Sequence, residues 1–313
     1  MATIPNLDFA KWSQGTESER AEFVKELGAA YTDIGFITIK NHGFGESVQD
    51  GLYKKAAAFF SLEKSVKSSY EIEGLAGQRG YTSFGKEHAK GMEAADLKEF
   101  WQVGQPEPAY EGPEYHNNVS IEELPEFAPG FKHAYQELER IGRELLKAIA
   151  LYLDLDSNYF EPWVQGGNSI LRAIHYPPIT QDPGDSVRAG QHEDINLITL
   201  LMGASAEGLE VLNKQNEWIG ITAIPGSLVV NVGDMLQRLT NGVMKSTTHR
   251  VVNPPKEKWG TSRYSIPFFL HPVGKMPLNA LEGCITQERP KAFDDITAGD
   301  YLEERLVEIG LKK

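Results

Sequence analysis

His192-Glu193-Asp194 places an imidazole and a carboxylate two residues apart, just ahead of a β-rich run. In extended chain, residues two apart face the same side, so His192 and Asp194 converge while Glu193 points away. His249 stands 57 positions after His192 (249 − 192), beside the strand-like Arg250-Val251-Val252. Two imidazoles and one carboxylate on one face leave coordination positions open, as in non-haem Fe(II) oxygenases. The same donors also suit a catalytic zinc that keeps a water, and spacing does not choose between them. Arg263-Tyr264-Ser265 again sets two polar side chains on one strand face, 14 residues after His249 (263 − 249). An arginine fork takes a carboxylate through two parallel hydrogen bonds, and a nearby hydroxyl adds a third. Either pattern alone is common by chance. A metal half-site, a distal histidine and an anion clamp in that order form a linked set.

These groups need a scaffold, and the chain supplies signals for one. Thr16 and Glu19 make a capping-box pattern, after which Phe23, Leu27, Tyr31 and Ile34 recur at helical spacing. Gly35 stops that helix, 36–40 alternates like a strand, and 47–60 reads as a second helix. The stretch 74–130, rich in Gly, Pro and charge, reads as loops carrying short elements, of the kind that form lids. Tyr135, Leu138, Ile141, Leu145, Ile149 and Leu153 predict a long amphipathic helix. Short β-rich runs follow at 169–176, 196–202, 209–212, 228–232, 248–252 and 264–270, separated by Pro177-Pro178, Pro225-Gly226 and Asn241-Gly242. Many short strands so spaced indicate a sandwich or jelly roll. The segment 298–311 reads as a closing helix.

Composition narrows the function classes. Of 313 residues, 41% are apolar and 24% charged, ordinary for a folded globular chain. A net charge of −13 argues against nucleic acid, which is bound mainly by cations meeting phosphates. No apolar run is long enough to span a bilayer, and the first residues lack a secretion-signal pattern. Cys284 is the only cysteine, so no intrachain disulfide can form, which suits a reducing cytoplasm.

Taken together, the motifs resemble the isopenicillin N synthase-like branch of the Fe(II)/2-oxoglutarate-dependent dioxygenases. The matching stretches are DIGFITIKNHG at 33–43, NSILRAIHYPP at 168–178, HEDINLITLL at 192–201 and GLEV at 208–211. NVGD at 231–234, TNG at 240–242, STTHRV at 246–251 and RYSIPFF at 263–269 complete the series. They span nearly the whole chain in the family's order.

The resemblance implies one α+β domain over 1–313 with a mainly β, double-stranded β-helix (jelly roll) core at 165–275. Helices flank that core at both ends, and 1–120 forms an N-terminal helical and lid part. It implies Fe(II) on His192, Asp194 and His249, with 2-oxoglutarate and O2 as co-substrates. Arg263 and Ser265 match the pair that holds the distal carboxylate of 2-oxoglutarate, and Tyr176 matches a tyrosine that reaches it. The same pair binds a substrate carboxylate in isopenicillin N synthase itself, so the motif marks a carboxylate site and leaves its occupant open. An Fe(II) oxidase without keto acid and a non-catalytic metal protein therefore stand as alternatives. The chain departs from the family pattern at Ile174, His175 and Glu193, where relatives commonly carry Asn, Tyr and Thr or Ser. The implied activity is oxidation of a small organic substrate, by default hydroxylation, with release of succinate and CO2. Arg79, Tyr81, Phe84 and Phe268 are the candidates for substrate contact, and Asp96, Lys98 and Glu99 read as a structural salt-bridge group.

Overall fold

The computed structural model describes residues 4–75, 77–87, 96–106, 116–203, 207–221 and 224–308. Its helices are Phe9–Ser13 (α1), Glu17–Asp33 (α2), Glu46–Phe60 (α3), Lys64–Ser68 (α4), Phe127–Tyr152 (α5), Glu161–Val164 (α6), Asp234–Leu239 (α7) and Ala298–Glu308 (α8). Its strands are Asn6–Asp8 (β1), Phe36–Lys40 (β2), Gly80–Thr82 (β3), Glu99–Val103 (β4), Ile170–Tyr176 (β5), Ala189–His192 (β6) and Ile198–Met202 (β7). Leu209–Leu212 (β8), Trp218–Gly220 (β9), Leu228–Val232 (β10), His249–Val251 (β11), Arg263–Ser265 (β12) and Pro267–Leu270 (β13) follow.

Two sheets result. A nine-stranded sheet runs β1-β2-β10-β7-β13-β5-β4-β3, with β12 also on β5, and a four-stranded sheet runs β6-β11-β8-β9. All pairings are antiparallel except β1 with β2. Strands from the first third of the chain thus share a sheet with strands from its second half.

The capping box forms as expected. The Thr16 hydroxyl accepts the Glu19 N–H, and the Glu19 carboxylate accepts the Thr16 N–H. Gly35 then takes φ +71°, and a Cβ there would lie 2.1 Å from the Lys245 carbonyl oxygen, so glycine is required. The long helix α5 begins earlier than its apolar period, with Pro129 tolerated in the first turn. It buries Phe131, Tyr135, Leu138, Ile141, Leu145 and Ile149 completely. Each such side chain contributes ~2 kcal/mol by leaving water. Gly142 lets the helix lie close to the large sheet, since a Cβ would stand 2.4 Å from Leu270 on β13.

One expectation needs correction, and several strands are new. The short elements expected within 74–130 include β3 and β4, which pair with each other, β4 also pairing with β5. Their side chains are buried on both faces, so no alternation marks them as strands. The run 264–270 is two strands, broken at Ile266, because β12 pairs only with β5 while β13 passes between β5 and β7. Among the new strands is Ala189–His192, whose Ala-Gly-Gln sequence carries no β signal. The closing helix is described to Glu308; residues 309–313 lie outside the described set.

Candidate metal and co-substrate site

His192 and His249 are direct partners in the antiparallel pairing of β6 with β11, which brings their ring centroids to 4.3 Å. Asp194 follows β6 by two residues and turns its carboxylate into the same space. Its Oδ1 lies 3.9 Å from His192 Nε2 and 3.7 Å from His249 Nε2. One donor atom from each of the three residues falls within 4.8 Å of the others.

The remaining atoms of these groups are already occupied. His192 Nδ1 lies 2.7 Å from the Gly190 carbonyl and His249 Nδ1 lies 3.1 Å from that of Thr247. A carbonyl can only accept, so each Nδ1 carries the proton and each Nε2 keeps its lone pair. Asp194 Oδ2 accepts from Thr199 Oγ1 at 2.6 Å and Asn231 Nδ2 at 2.7 Å, which leaves Oδ1 as the inward atom. Asp96 Oδ1 accepts the Gly190 N–H at 2.9 Å and so braces the peptide that orients His192.

Charge states suit a cation. Burial lowers the His192 imidazole to about 4, helped by the facing His249, so it is neutral at physiological pH. Burial alone would raise Asp194; the two imidazoles and the Asn231 and Thr199 hydrogen bonds outweigh it and hold the carboxyl below its usual range. Two imidazole nitrogens and a carboxylate oxygen, pre-oriented and facing one point, fit a ferrous ion.

The triad opens into a cavity of about 380 Å³ that also receives Tyr176, Arg263, Ser265 and Ile174. Arg263 lies opposite Tyr176, and Ser265 opposite Ile174, in the β12–β5 pairing. The Arg263 guanidinium carbon is 5.0 Å from the Tyr176 ring centroid. A second buried guanidinium, Arg188, is 6.0 Å from the same ring. Burial and the Arg263 charge lower Arg188 from its ordinary value. Ala189, Val251 and Leu209 pack with Ile174 beside the clamp, making a low-dielectric wall. The residues present therefore fit a keto diacid as well as the metal.

The four residues expected to touch substrate do not line this cavity. Arg79 is buried and donates to the carbonyls of Gln78 and His116. Tyr81 donates to the Glu99 carboxylate in a buried group with Lys67 and His175. Phe84 is 49% exposed, and Phe268 is fully buried against Tyr135. His175 belongs to the same rear group, stacked on Tyr264, which explains how it replaces the family's tyrosine without touching the cavity. Glu193 accepts from Thr248 Oγ1 at 2.8 Å and stays outside the metal cluster.

The cavity wall instead carries Glu87, Lys98, Gln102, Asn168, Arg172 and Phe269. Strand parity could have found two of them. Arg263 and Ser265 face the cavity, so Pro267 and Phe269 must too, while Phe268 points into the core. Likewise Ile170, Arg172, Ile174 and Tyr176 line one face of β5. Glu87 gave no signal, because its partners are distant in sequence.

Comparison with known proteins agrees with this geometry. The family model of the 2OG-Fe(II) oxygenase superfamily matches residues 167–272. A model for the N-terminal part of a non-haem dioxygenase in morphine synthesis matches 4–126. A 2-oxoglutarate-Fe(II) type oxidoreductase of Metarhizium majus is 30% identical over 97% of this chain and 86% of its own. The chain is a 2-oxoglutarate-Fe(II) oxygenase. A crystal structure of a 2OG-Fe(II) oxygenase family protein from Caulobacter crescentus is similar to this oxygenase at a TM-score of 0.88, with 42% identity over 99% of this chain and 100% of that one. A Neurospora crassa protein, solved in complex with alpha-KG and thymine, gives a TM-score of 0.86 with 32% identity over 97% and 96%. The oxygenase uses Fe(II), 2-oxoglutarate and O2, as its family does. Among the described residues, no helix is long and apolar enough to cross a membrane.

Proposed function

We propose that His192, Asp194 and His249 hold the ferrous ion, that Arg263 and Ser265 hold the distal carboxylate of 2-oxoglutarate, and that the oxygenase hydroxylates a small organic molecule. The observation that carries this is the convergence of two imidazole Nε2 atoms and Asp194 Oδ1, each fixed from behind by a hydrogen bond on its other polar atom. Bound iron and 2-oxoglutarate would supply the redox chemistry, with O2 divided between succinate, formed with CO2, and the hydroxylated product.

This chain's residues do the rest. Gly190, Thr247, Thr199 and Asn231 keep the ligand atoms aimed before metal arrives. Arg263, opposite Tyr176, supplies a charged fork deep in the cavity, and Ser265 adds a hydroxyl beside it. Ile174 faces Ser265 with methyl groups where relatives carry an amide, so the clamp rests on fewer polar contacts. The apolar wall around it excludes water and strengthens those contacts.

The two sheets are read as the halves of a double-stranded β-helix, since metal donors come from the small sheet and clamp residues from the large one. The sharing of the large sheet by β2, β3 and β4 supports one domain over 1–313. Cytoplasmic residence suits the lone, buried Cys284. A screen of small metabolites under anaerobic Fe(II) loading, followed by oxygen exposure, tests the function. Succinate release coupled to one metabolite is expected, and oxidation without succinate overturns the co-substrate assignment.

A further inference from the structure

Beyond the metal and the clamp, the cavity has a third part with its own chemistry. Asn168, Ile170 and Arg172 lead along one face of β5, while Phe269 and His271 return on the neighbouring β13 and its end. The register sets Phe269 beside Ile170 on one side and Thr199 on the other. Thr199 is the residue that bonds Asp194 Oδ2, so this patch abuts the metal triad. A molecule lying on it would present its edge to the metal position.

The charges of the patch cancel. Lys98 Nζ lies 2.5 Å from Glu87 and 2.7 Å from Asp96, and Arg172 lies 3.2 Å from Glu87. Two cations meet two carboxylates, all with side chains at most 16% exposed. Arg172 also donates to Gln102, and its guanidinium carbon lies over the Phe100 ring, 4.2 Å from the centroid. Of the other charges nearby, Arg305 is paired with Asp234 and Glu308, and Glu193 is bonded to Thr248. A charged ligand on this patch would find Glu87, Asp96, Lys98 and Arg172 already paired with one another and would lose its hydration.

Polar groups nonetheless wait unpaired. Asn168 is 7% exposed, lines the cavity, and its Oδ1 is buried without a hydrogen-bond partner among the described residues. His271 is 8% exposed and its ring makes no hydrogen bond among the described residues. Burial holds that imidazole neutral, at about 4, so it offers one donor and one acceptor. Phe269 lines the same wall, with the Arg172 guanidinium carbon 5.3 Å from its ring centroid.

We propose that this patch selects an uncharged, planar ring carrying amide-type N–H and C=O groups, stacked on Phe269 with its polar edge read by Asn168 and His271. The class is that of cyclic imides and lactams of pyrimidine size. The proposal rests on the oxygenase reading above, since it treats the patch as the primary-substrate subsite.

The test is isothermal titration of the full chain, anaerobic and loaded with Mn(II), with and without 2-oxoglutarate. Three probes share one ring and differ in charge: thymine, orotate (an anion) and 5-aminomethyluracil (a cation). Thymine is expected to bind about ten-fold or more tightly than either charged probe, because each of those must bury an unbalanced charge. Asn168→Leu should weaken thymine about ten-fold or more and leave 2-oxoglutarate affinity unchanged. Should that variant fail to fold, Asn168→Asp keeps the volume, removes the amide donor and adds charge, and thymine binding should fall similarly. A charged probe binding as tightly as thymine, no binding by any probe, or wild-type thymine affinity in a folded Asn168 variant overturns the proposal. Titration of 2-oxoglutarate into the same wild-type sample separately judges the co-substrate reading.

Discussion

At the metal end of the cavity, the groups that aim the donors lie mostly close by in the chain: Gly190 for His192, Thr247 for His249, Thr199 for Asp194. At the opposite end, Arg172 reaches Gln102 and Glu87 across 70 and 85 positions, and Lys98 joins Glu87 to Asp96. The first arrangement is made by strands that pre-aim individual atoms. The second is a mutual balance in which each charge depends on several others. Loss of a metal donor therefore removes a function and spares the fold, whereas loss of a balancing charge disturbs stability and the substrate wall together.

The sharpest break in that contrast comes from His249→Ala. It should abolish retention of iron, read by metal analysis after anaerobic purification, while circular dichroism stays that of the wild type. Global unfolding would show that the metal end is not independent of the scaffold. Arg263→Leu ranks next: 2-oxoglutarate binding should weaken by ~3–5 kcal/mol, as a buried carboxylate loses its charged partner. Calorimetry showing wild-type affinity would remove Arg263 from the clamp.

A paired substitution sharpens the strand parity that links the two ends. Phe268→Ala should cost ~3 kcal/mol of stability in urea denaturation, because it empties a core position. Phe269→Ala should cost clearly less and act on substrate affinity. Equal losses would mean the two faces of β13 are not functionally distinct.

The smallest expected effect tests the balance itself. Burial alone would raise Glu87, but Lys98 and Arg172 outweigh it and bring the carboxyl to about 2, from an ordinary 4.5. Its folded-state pKa is depressed, so its stabilisation is complete above pH 4.5 and fades as pH falls towards 2. Glu87→Gln should cost ~2 kcal/mol near neutral pH and flatten that part of the acid profile. An unchanged profile would place the pH dependence elsewhere.

The metal end is readable in the sequence because its information is local. Residues two apart on a strand share a face, and the order of His192, Asp194, His249 and Arg263 can be followed along the chain alone. The helices carried by Thr16 and by the Tyr135–Leu145 period are equally plain. What cannot be read are elements defined by their neighbours. β4 is buried on both faces, so no alternation marks it, and Glu87 is meaningful only beside Lys98 and Arg172. Phe268 lies just past the clamp in sequence, but its side of the strand turns it into the core.

Strand β6 is the outermost member of the small sheet and only four residues long. Because His192 sits directly across from His249, an ion shared by the two rings would act as a clip on the last rung of that edge. Tightening of this edge would then be proportional to how much metal is available, by mass action. Backbone amide exchange at Ala189–His192 becomes a gauge of iron supply: slow when the clip is closed, fast when the edge is left to fray.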